Sequence, residues 1–333
     1  MKNNNTLIDS FGRQVRYLRL SVTDRCNLRC TYCMAEDMVF LPKNRVLSLE
    51  EMTFVSRAFV ELGVEKIRLT GGEPLVRNGI IELTSELYKI EGLRELVMTT
   101  NGVLLKKFAQ PLHDAGVSRL NISIDSLQEA RFKTLTRFGV LNDVLEGIQS
   151  ARKVGFKKLK LNVVILKGIN DDEIIDLSQY AVDNAMDISF IEEMPLGEVT
   201  SHKRTDTQLS SFTIREQLEQ RFNLSKVNFL DAAAGPARYF QVENSESKIG
   251  FISPMSNNFC SSCNRVRITT EGSLLLCLGN EHSLDLREIM RENPGDIDYL
   301  KAQIIGSMQR KPEQHYFDPK DITITRHMSA TGG

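Results

Sequence analysis

The 333-residue sequence predicts an α/β protein built on a parallel sheet. Six β-rich runs precede Pro195, amphipathic helical segments separate them, and the rhythm stops beyond that proline. Strands that alternate with helices form right-handed βαβ units, whose strands pair in parallel. Six units are two short of a complete (β/α)8 barrel. The rhythm therefore fits either a partial, laterally open barrel or an open doubly wound sheet.

The six predicted strands are rich in β-branched and aliphatic residues, which favour strands. They are VRYLRLSV (15–22), KIRLT (66–70), ELVMTT (95–100), RLNISID (119–125), KLKLNVVIL (158–166) and DISFIEEM (187–194).

The helical segments between these strands carry apolar residues at helical spacing. The first begins with Ser48 and Glu51, which have the spacing of a capping box, and it ends at Gly63. The third contains Pro111, so we expect it to kink or break there. The five segments are 47–63, 79–92, 104–116, 140–155 and 171–185.

Beyond Pro195 the sequence changes to a polar loop, one helix (212–222) and short strands. The turn at Glu271 and Gly272 predicts a hairpin between the last two strands. We place a domain boundary near residue 235, between a barrel (1–235) and a smaller α+β region (236–333) that packs against it. Its predicted strands are RYFQV (238–242), IGFIS (249–253), RVRITT (265–270) and SLLLCL (273–278).

Composition and charge are those of a soluble globular protein, with 26% charged and 41% hydrophobic residues. The net charge of −1 gives no basic field that would point to nucleic acid. No apolar run reaches the roughly 20 residues that span a bilayer, and the first ten residues lack the apolar core of a signal peptide. We therefore expect a cytoplasmic protein with no nucleic-acid or membrane partner.

All six cysteines fall into two groups of three. They are Cys26, Cys30 and Cys33, spaced C-x3-C-x2-C, and Cys260, Cys263 and Cys277, spaced C-x2-C-x13-C. The cytosol keeps thiols reduced, which argues against disulfides. A structural zinc site needs four protein ligands, whereas a four-iron cluster on three thiolates leaves one iron open to another ligand. The first group follows the first strand, at the sheet edge where α/β proteins place their sites.

The first cysteine group, with Tyr32 before its last cysteine, resembles the signature of radical S-adenosylmethionine (SAM) enzymes. The stretch GGEP (71–74) and the order of six βα units agree with that superfamily, and the resemblance implies its partial (β/α)6 TIM-like barrel. The second group, in which Asn264 and Arg265 follow the second cysteine, narrows the resemblance. Together with the Gly-Gly end, it is similar to the GTP cyclase family of molybdenum cofactor biosynthesis.

That resemblance implies two 4Fe-4S clusters and SAM as cofactors and GTP as substrate. In that family, reductive cleavage of SAM at the first cluster yields a 5′-deoxyadenosyl radical that removes the 3′ hydrogen of GTP. The ribose C3′ then attacks C8 of guanine and gives 3′,8-cyclo-7,8-dihydro-GTP, while the second cluster holds the guanine. The resemblance also implies a flavodoxin- or ferredoxin-type reductant, delivery of the product to the next enzyme of the pathway, and a homodimer.

Individual site residues are carried over from the same resemblance. The six cysteines would be metal ligands, and Cys26, Cys30 and Cys33 would hold the catalytic cluster. The SAM contacts would be Tyr32, Gly72, Ser123 and Met194. The GTP contacts would be Arg19, Arg68, Thr99, Lys160, Arg265, Val266 and Arg267, since arginine forks and lysine charges suit a triphosphate. Gly332 and Gly333 would enter the site and support Arg19, Arg265 and Arg267.

Two other functions stay open at this point. A peptide-modifying radical SAM maturase would also carry an auxiliary cluster, but such enzymes usually have more cysteines. A non-catalytic, metal-stabilised binding protein would need a fourth ligand in addition to the three cysteines of each group. Without the resemblance, Met194 would be a core methionine, and Ser123 and Thr99 would be ordinary strand residues.

Overall fold

The computed structural model describes residues 6–35, 37–197, 202, 204–227, 231–318, 324, 326 and 328–332. In this part of the chain twelve strands form one sheet, in the order β12-β11-β10-β1-β2-β3-β4-β5-β6-β9-β8-β7. The strands are β1 (Tyr17–Ser21), β2 (Lys66–Thr70), β3 (Glu95–Thr100), β4 (Arg119–Ser123), β5 (Leu159–Val164), β6 (Asp187–Ile191), β7 (Leu224–Lys226), β8 (Arg238–Val242), β9 (Lys248–Ile252), β10 (Arg265–Ile268), β11 (Ser273–Leu275) and β12 (Ser283–Asp285).

The six predicted strands pair in parallel and in chain order, from β1 to β6. Two strands from the second half of the chain extend this run, because β10 pairs parallel with β1 and β9 pairs parallel with β6. The remaining strands are antiparallel at the two ends of the sheet. The α/β fold class is confirmed, and the predicted partial barrel continues on both sides into the C-terminal region.

The structure describes eleven α-helices, most of which pack apolar residues against the outer face of the sheet, while residues of the last line the cavity at its inner face. They are α1 (Leu49–Glu61), α2 (Ile80–Tyr88), α3 (Leu105–Asp114), α4 (Glu129–Thr136), α5 (Leu141–Val154), α6 (Ile174–Asp183), α7 (Arg204–Thr207), α8 (Ser211–Glu219), α9 (Leu286–Glu292), α10 (Ile297–Ser307) and α11 (Met328–Thr331). None of them combines the length and the apolar character that a bilayer-spanning helix requires.

The helix starts and stops follow the sequence signals with one exception. Ser48 and Glu51 form the predicted capping box before α1, each side chain accepting from the other's backbone N–H. The predicted break at Pro111 is wrong, because α3 continues through it. Proline removes the donor to the carbonyl four residues earlier, and here that residue, Lys107, is exposed, so water can bond its carbonyl. Helix α4 and strands β7 and β12 were not predicted.

The two faces of the sheet differ in polarity. Along β1, Leu18 and Leu20 are buried in the apolar core under the helices, while Tyr17, Arg19 and Ser21 alternate with them on the inner face. A complete barrel fills its interior with bulky apolar side chains. Here the inner face is polar and borders a cavity of about 1590 Å³.

The C-terminal region supplies strands to both edges of this sheet. The predicted hairpin forms between β10 and β11, with Gly272 in the left-handed region at φ +92°. The predicted strands at 238–242 and 249–253 correspond to β8 and β9. The domain boundary near residue 235 stays a prediction, and the sheet runs through both parts.

Candidate active site

One cavity inside the partial barrel brings the two cysteine groups together. All six cysteines border it, although the groups are more than 200 residues apart in sequence. The same walls contain every residue that the sequence analysis assigned to SAM or GTP. Those individual contacts stay predictions, because the structure contains only the protein chain.

The first cysteine loop leaves β1 and is held against the GGEP stretch by backbone hydrogen bonds. Gly72 N donates to the Thr23 carbonyl and Glu73 N to the Arg25 carbonyl, both at 2.8 Å. A Cβ at Gly72 would lie 2.3 Å from the Arg25 carbonyl oxygen. Only glycine allows these two backbones to approach so closely.

Gly72→Ala is therefore expected to displace the cysteine loop and to reduce SAM binding and 5′-deoxyadenosine formation about 10- to 100-fold. Isothermal titration with SAM and single-turnover chromatography measure the two effects. Gly306→Ala is the matched control, because a Cβ there meets no atom within 4 Å. SAM affinity and cleavage in Gly72→Ala equal to those of the control would show that the close approach is dispensable.

Glu73 connects the cysteine loop to the end of β3. Its carboxylate is fully buried and accepts from Thr100 Oγ1 (2.8 Å), Leu75 N (3.0 Å) and Asn101 N (2.6 Å). Burial raises the pKa of Glu73 to about 7, against the lowering effect of these donors. Asn101 in turn donates to Asn27 Oδ1 (2.8 Å), and its Nδ2 lies 3.7 Å from the Cys26 sulfur.

The three thiols of the first group are surrounded by protein atoms although their residues are only partly buried. Burial raises the pKa of Cys26 to about 11, that of Cys33 to about 12 and that of Cys30 well above its usual value. Negative charge on neighbouring thiols contributes to the pKa shifts of Cys30 and Cys33. A bound cationic cluster would reverse this preference, since metals take the thiolate.

A second contact orients the last turn of this loop. Tyr32 donates from its hydroxyl to Asp125 Oδ2 at 2.7 Å, and Asp125 Oδ1 accepts from Val164 N at 2.8 Å. Burial raises the pKa of Asp125 to about 6. Asp125 thus connects the cysteine loop to the ends of β4 and β5. The sequence analysis missed it, although it closes the predicted strand RLNISID.

The second cysteine group is built around the β10–β11 hairpin. Cys260 and Cys263 precede β10, and Cys277 follows β11. Asn264 donates to the carbonyls of Ala232 (2.7 Å) and Ala234 (3.1 Å), which binds a neighbouring loop to this turn.

Two basic residues that the sequence analysis did not single out support the same group. Arg13 donates to the Cys260 carbonyl at 2.8 Å. Burial raises the pKa of Cys263, but the charges of Arg265 and Lys311 outweigh it, so that the pKa falls to about 7.

The donor sets fit iron–sulfur clusters. Each group presents three cysteines on one cavity wall, and thiolates are the ligands that iron–sulfur clusters prefer. In the described residues no three His, Cys, Asp or Glu side chains form a site for a single metal ion, so the fit depends on the cysteine sets and their arrangement.

Three arginines form a row on neighbouring strands between the cysteine groups. Arg19 is the register partner of Arg267 on one side and of Arg68 on the other. Burial lowers the pKa of Arg19 to about 10, and burial and repulsion from Arg19 lower that of Arg267 well below its usual value. Clustered buried cations are costly unless anions face them, so this wall suits a polyanion such as a triphosphate.

The end of the chain reaches this row. The Gly332 carbonyl accepts from Arg19 Nη2 at 2.7 Å and from Arg267 Nη1 at 3.2 Å. The expected approach of the tail to these two arginines is thus seen for Gly332, whereas Gly333 lies outside the described residues. The recorded contact of the Arg265 guanidinium is with the ring of Phe259, 4.8 Å from its centroid.

Other polar groups on the inner face interact with this row of arginines. Arg68 donates to Thr99 Oγ1 at 3.0 Å and also bonds the Tyr17 hydroxyl. Burial raises the pKa of Tyr17, but Arg68, Arg19 and Lys66 outweigh it and lower the pKa to about 6. Tyr17 and Lys66 were not predicted as site residues. They lie on the inner face of β1 and β2, next to the predicted residues Arg19 and Arg68.

The remaining predicted residues occupy varied environments. Lys160 donates to the Tyr239 hydroxyl at 3.0 Å and is 8% exposed. Ser123 ends β4, and Met194 follows β6, both at the cavity wall. The Val266 side chain belongs to the apolar core, so this residue has only its backbone to offer a ligand.

Two family models match successive parts of this chain. The Radical SAM superfamily model matches residues 20–181, and the Molybdenum Cofactor Synthesis C model matches residues 186–317. A GTP 3′,8-cyclase of Pseudomonas putida (strain W619) is 54% identical over 100% of this chain and 99% of its own length. One of Saccharophagus degradans is 56% identical over 99% of both chains.

Among solved structures, Streptococcus suis SuiB superposes with a TM-score of 0.64 at 16% identity, over 90% of this chain and 69% of its own. At that identity the likeness concerns the fold alone.

Proposed function

We propose, because this chain belongs to the GTP 3′,8-cyclase family of radical SAM enzymes, that its cavity converts GTP to 3′,8-cyclo-7,8-dihydro-GTP in molybdenum cofactor biosynthesis. The family carries two 4Fe-4S clusters and uses SAM, and the two cysteine groups are the sites for those clusters. The observation that supports the proposal most is that both groups border one cavity with a row of arginines between them.

The cofactors supply the radical chemistry, since SAM bound at the first cluster is the source of the radical that removes the 3′ hydrogen of GTP. The chain supplies binding and position. Cys26, Cys30 and Cys33 would hold the first cluster, in a loop fixed by Gly72 and Asp125.

The basic residues of the cavity orient the substrate. Arg19, Arg68 and Arg267 would bind the triphosphate through charge-assisted hydrogen bonds, and Lys160 on β5 borders the same cavity. The cluster at the second cysteine group would hold the guanine, so that the ribose lies between the two groups.

The direct test is anaerobic incubation of the reduced holoenzyme with SAM and GTP deuterated at C3′. Mass spectrometry is expected to find the cyclised nucleotide and deuterium in 5′-deoxyadenosine. Deuterium-free 5′-deoxyadenosine with unchanged GTP would contradict the proposal. It would favour the peptide-modifying alternative, for which the likeness to SuiB gives no support beyond the fold.

Cys277→Ala is expected to separate the two sites. Cys277 follows β11, whereas the first cysteine group lies in the loop after β1. SAM cleavage should therefore continue in Cys277→Ala. Loss of a residue that hydrogen-bonds a metal ligand typically costs about 10- to 100-fold. Loss of the ligand itself should reduce cyclisation by more than that. Product formed per SAM cleaved measures the effect, and full cyclisation by this variant would refute the role of the second group.

We further propose that a flavodoxin- or ferredoxin-type protein reduces the first cluster, that the product passes to the next enzyme of the pathway, and that the enzyme is a cytoplasmic homodimer. These proposals come from the family. The partial burial of the cysteines in the first group agrees with the proposed protein reductant, because electrons must reach that cluster from outside. Sedimentation and reduction assays with purified flavodoxin test the dimer and the reductant.

A further inference from the structure

A buried lysine lies behind the second cysteine group. Lys311 follows the short helical turn Met308–Arg310 and is only 2% exposed. Each hydrogen of its ammonium has an acceptor. Nζ lies 2.5 Å from the Leu276 carbonyl oxygen, 3.1 Å from that of Arg265 and 3.6 Å from the Cys263 sulfur. Neither the fold nor the GTP-binding wall accounts for a full charge at this position.

These acceptors belong to both arms of the hairpin that carries the cysteines. Arg265 begins β10 directly after Cys263 and Asn264, and Leu276 lies between β11 and Cys277. Lys311 therefore connects the end of one arm to the beginning of the other. The distance between Cys263 and Cys277, and with it the shape of the cluster site, depends on this connection.

The charge has a separate significance. Two carbonyls need only neutral donors, and burying an ammonium is expensive unless an anion lies beside it. Among the three acceptors only the Cys263 sulfur can be that anion, as the thiolate ligand of a cluster. Net charge and hydrogen bonds to sulfur are the main protein influences on the potential of an iron–sulfur cluster. A nearby cation favours the reduced, more negative form.

We propose that Lys311 is a positioning residue of the second cluster, which holds the two cysteine arms together and raises the reduction potential of the cluster through its charge. The proposal rests on the proposed function in one respect, namely that a cluster occupies the second cysteine group.

The experiment compares Lys311→Gln with Lys311→Arg and with Lys301→Gln in the reduced holoenzyme. Glutamine keeps neutral donors for the carbonyls, arginine keeps the charge, and Lys301 is a surface lysine paired with Glu61 and Asp298. Iron and sulfide analysis and EPR-monitored potentiometry are the readouts. The first cluster is identified by the response of its signal to SAM.

Lys311→Gln is expected to have a second cluster with a more negative midpoint potential, while the first cluster keeps its potential and its SAM cleavage. Lys311→Arg and Lys301→Gln should resemble the wild type. Loss of about four iron in Lys311→Gln, with SAM cleavage intact, would also support the proposal, since about eight are expected for two cubanes. An unchanged potential with full iron content would overturn it, and so would loss of both clusters, because Lys311 would then support the fold in general.

Different results would contradict the proposed function. Wild-type protein with only about four iron, or without cyclised nucleotide, would contradict that function whatever the Lys311 variants do.

Discussion

Replacing Cys30 with alanine is expected to abolish reductive SAM cleavage. Cys30 borders the same cavity as Cys26 and Cys33 and belongs with them to one loop. Without it two thiolates remain, and a cubane on two thiolates is poorly held and loses its single open iron. The rate of SAM cleavage should fall by more than the roughly 10- to 100-fold that follows removal of a residue hydrogen-bonded to a metal ligand. Chromatography of 5′-deoxyadenosine from the dithionite-reduced protein measures it.

Cys277→Ala is the matched control for Cys30→Ala, because it removes one thiol from the second group and leaves the first group complete. Cys30→Ala should lose SAM cleavage and with it cyclisation, whereas Cys277→Ala should lose cyclisation and keep SAM cleavage. If Cys30→Ala formed 5′-deoxyadenosine at the wild-type rate, the first group could not be the site of SAM chemistry.

Gly332→Val is expected to lower product formation per SAM cleaved by about 100-fold, the cost of roughly 1 Å misplacement in an active site. Gly332 has φ +76°, a conformation that β-branched residues avoid. A Cβ there would lie 2.0 Å from Thr70 Oγ1. The substitution should therefore move the carbonyl that accepts from Arg19 and Arg267, while both clusters and SAM cleavage remain.

Gly295→Ala controls for backbone strain, because Gly295 has φ +79° and open space around its Cβ position. It should cost stability without changing the product ratio. Deletion of Gly332 and Gly333 should reproduce the effect of Gly332→Val. A product ratio equal to that of the wild type in both variants would show that the tail is dispensable for substrate positioning.

Local patterns in the sequence predict the parts of this fold that depend on local physics. The six βα units, the capping box at Ser48 and the β10–β11 hairpin each follow from spacing and turn chemistry within a short segment. Helix α4 was missed because its apolar face is weak, with Phe132 and Leu135 as its buried apolar side chains. The break expected at Pro111 does not occur because the surrounding helix packs well enough to outweigh one missing hydrogen bond.

The sequence does not predict which distant segments pair in the sheet. Nothing in RVRITT shows that β10 lies beside β1, yet this pairing places Arg267 next to Arg19. Lys311, Asp125 and Arg13 were missed for the same reason, since their partners lie far away in the chain. Tyr17 and Lys66 could have been found, because alternation along YLRLS and KIRLT assigns both to the polar inner face.

The pairing of β1 with β10 also has a consequence for biosynthesis. Leu18 faces Val266, so roughly 250 residues must be translated before β1 obtains this neighbour. At about 5–20 residues per second that takes on the order of 10–50 s. During this interval the nascent sheet from β1 to β6 exposes an open backbone edge at β1, a surface that invites aggregation. Cluster insertion at the second group must follow translation of Cys277, so the first six strands wait with an exposed edge before either side of the barrel is complete.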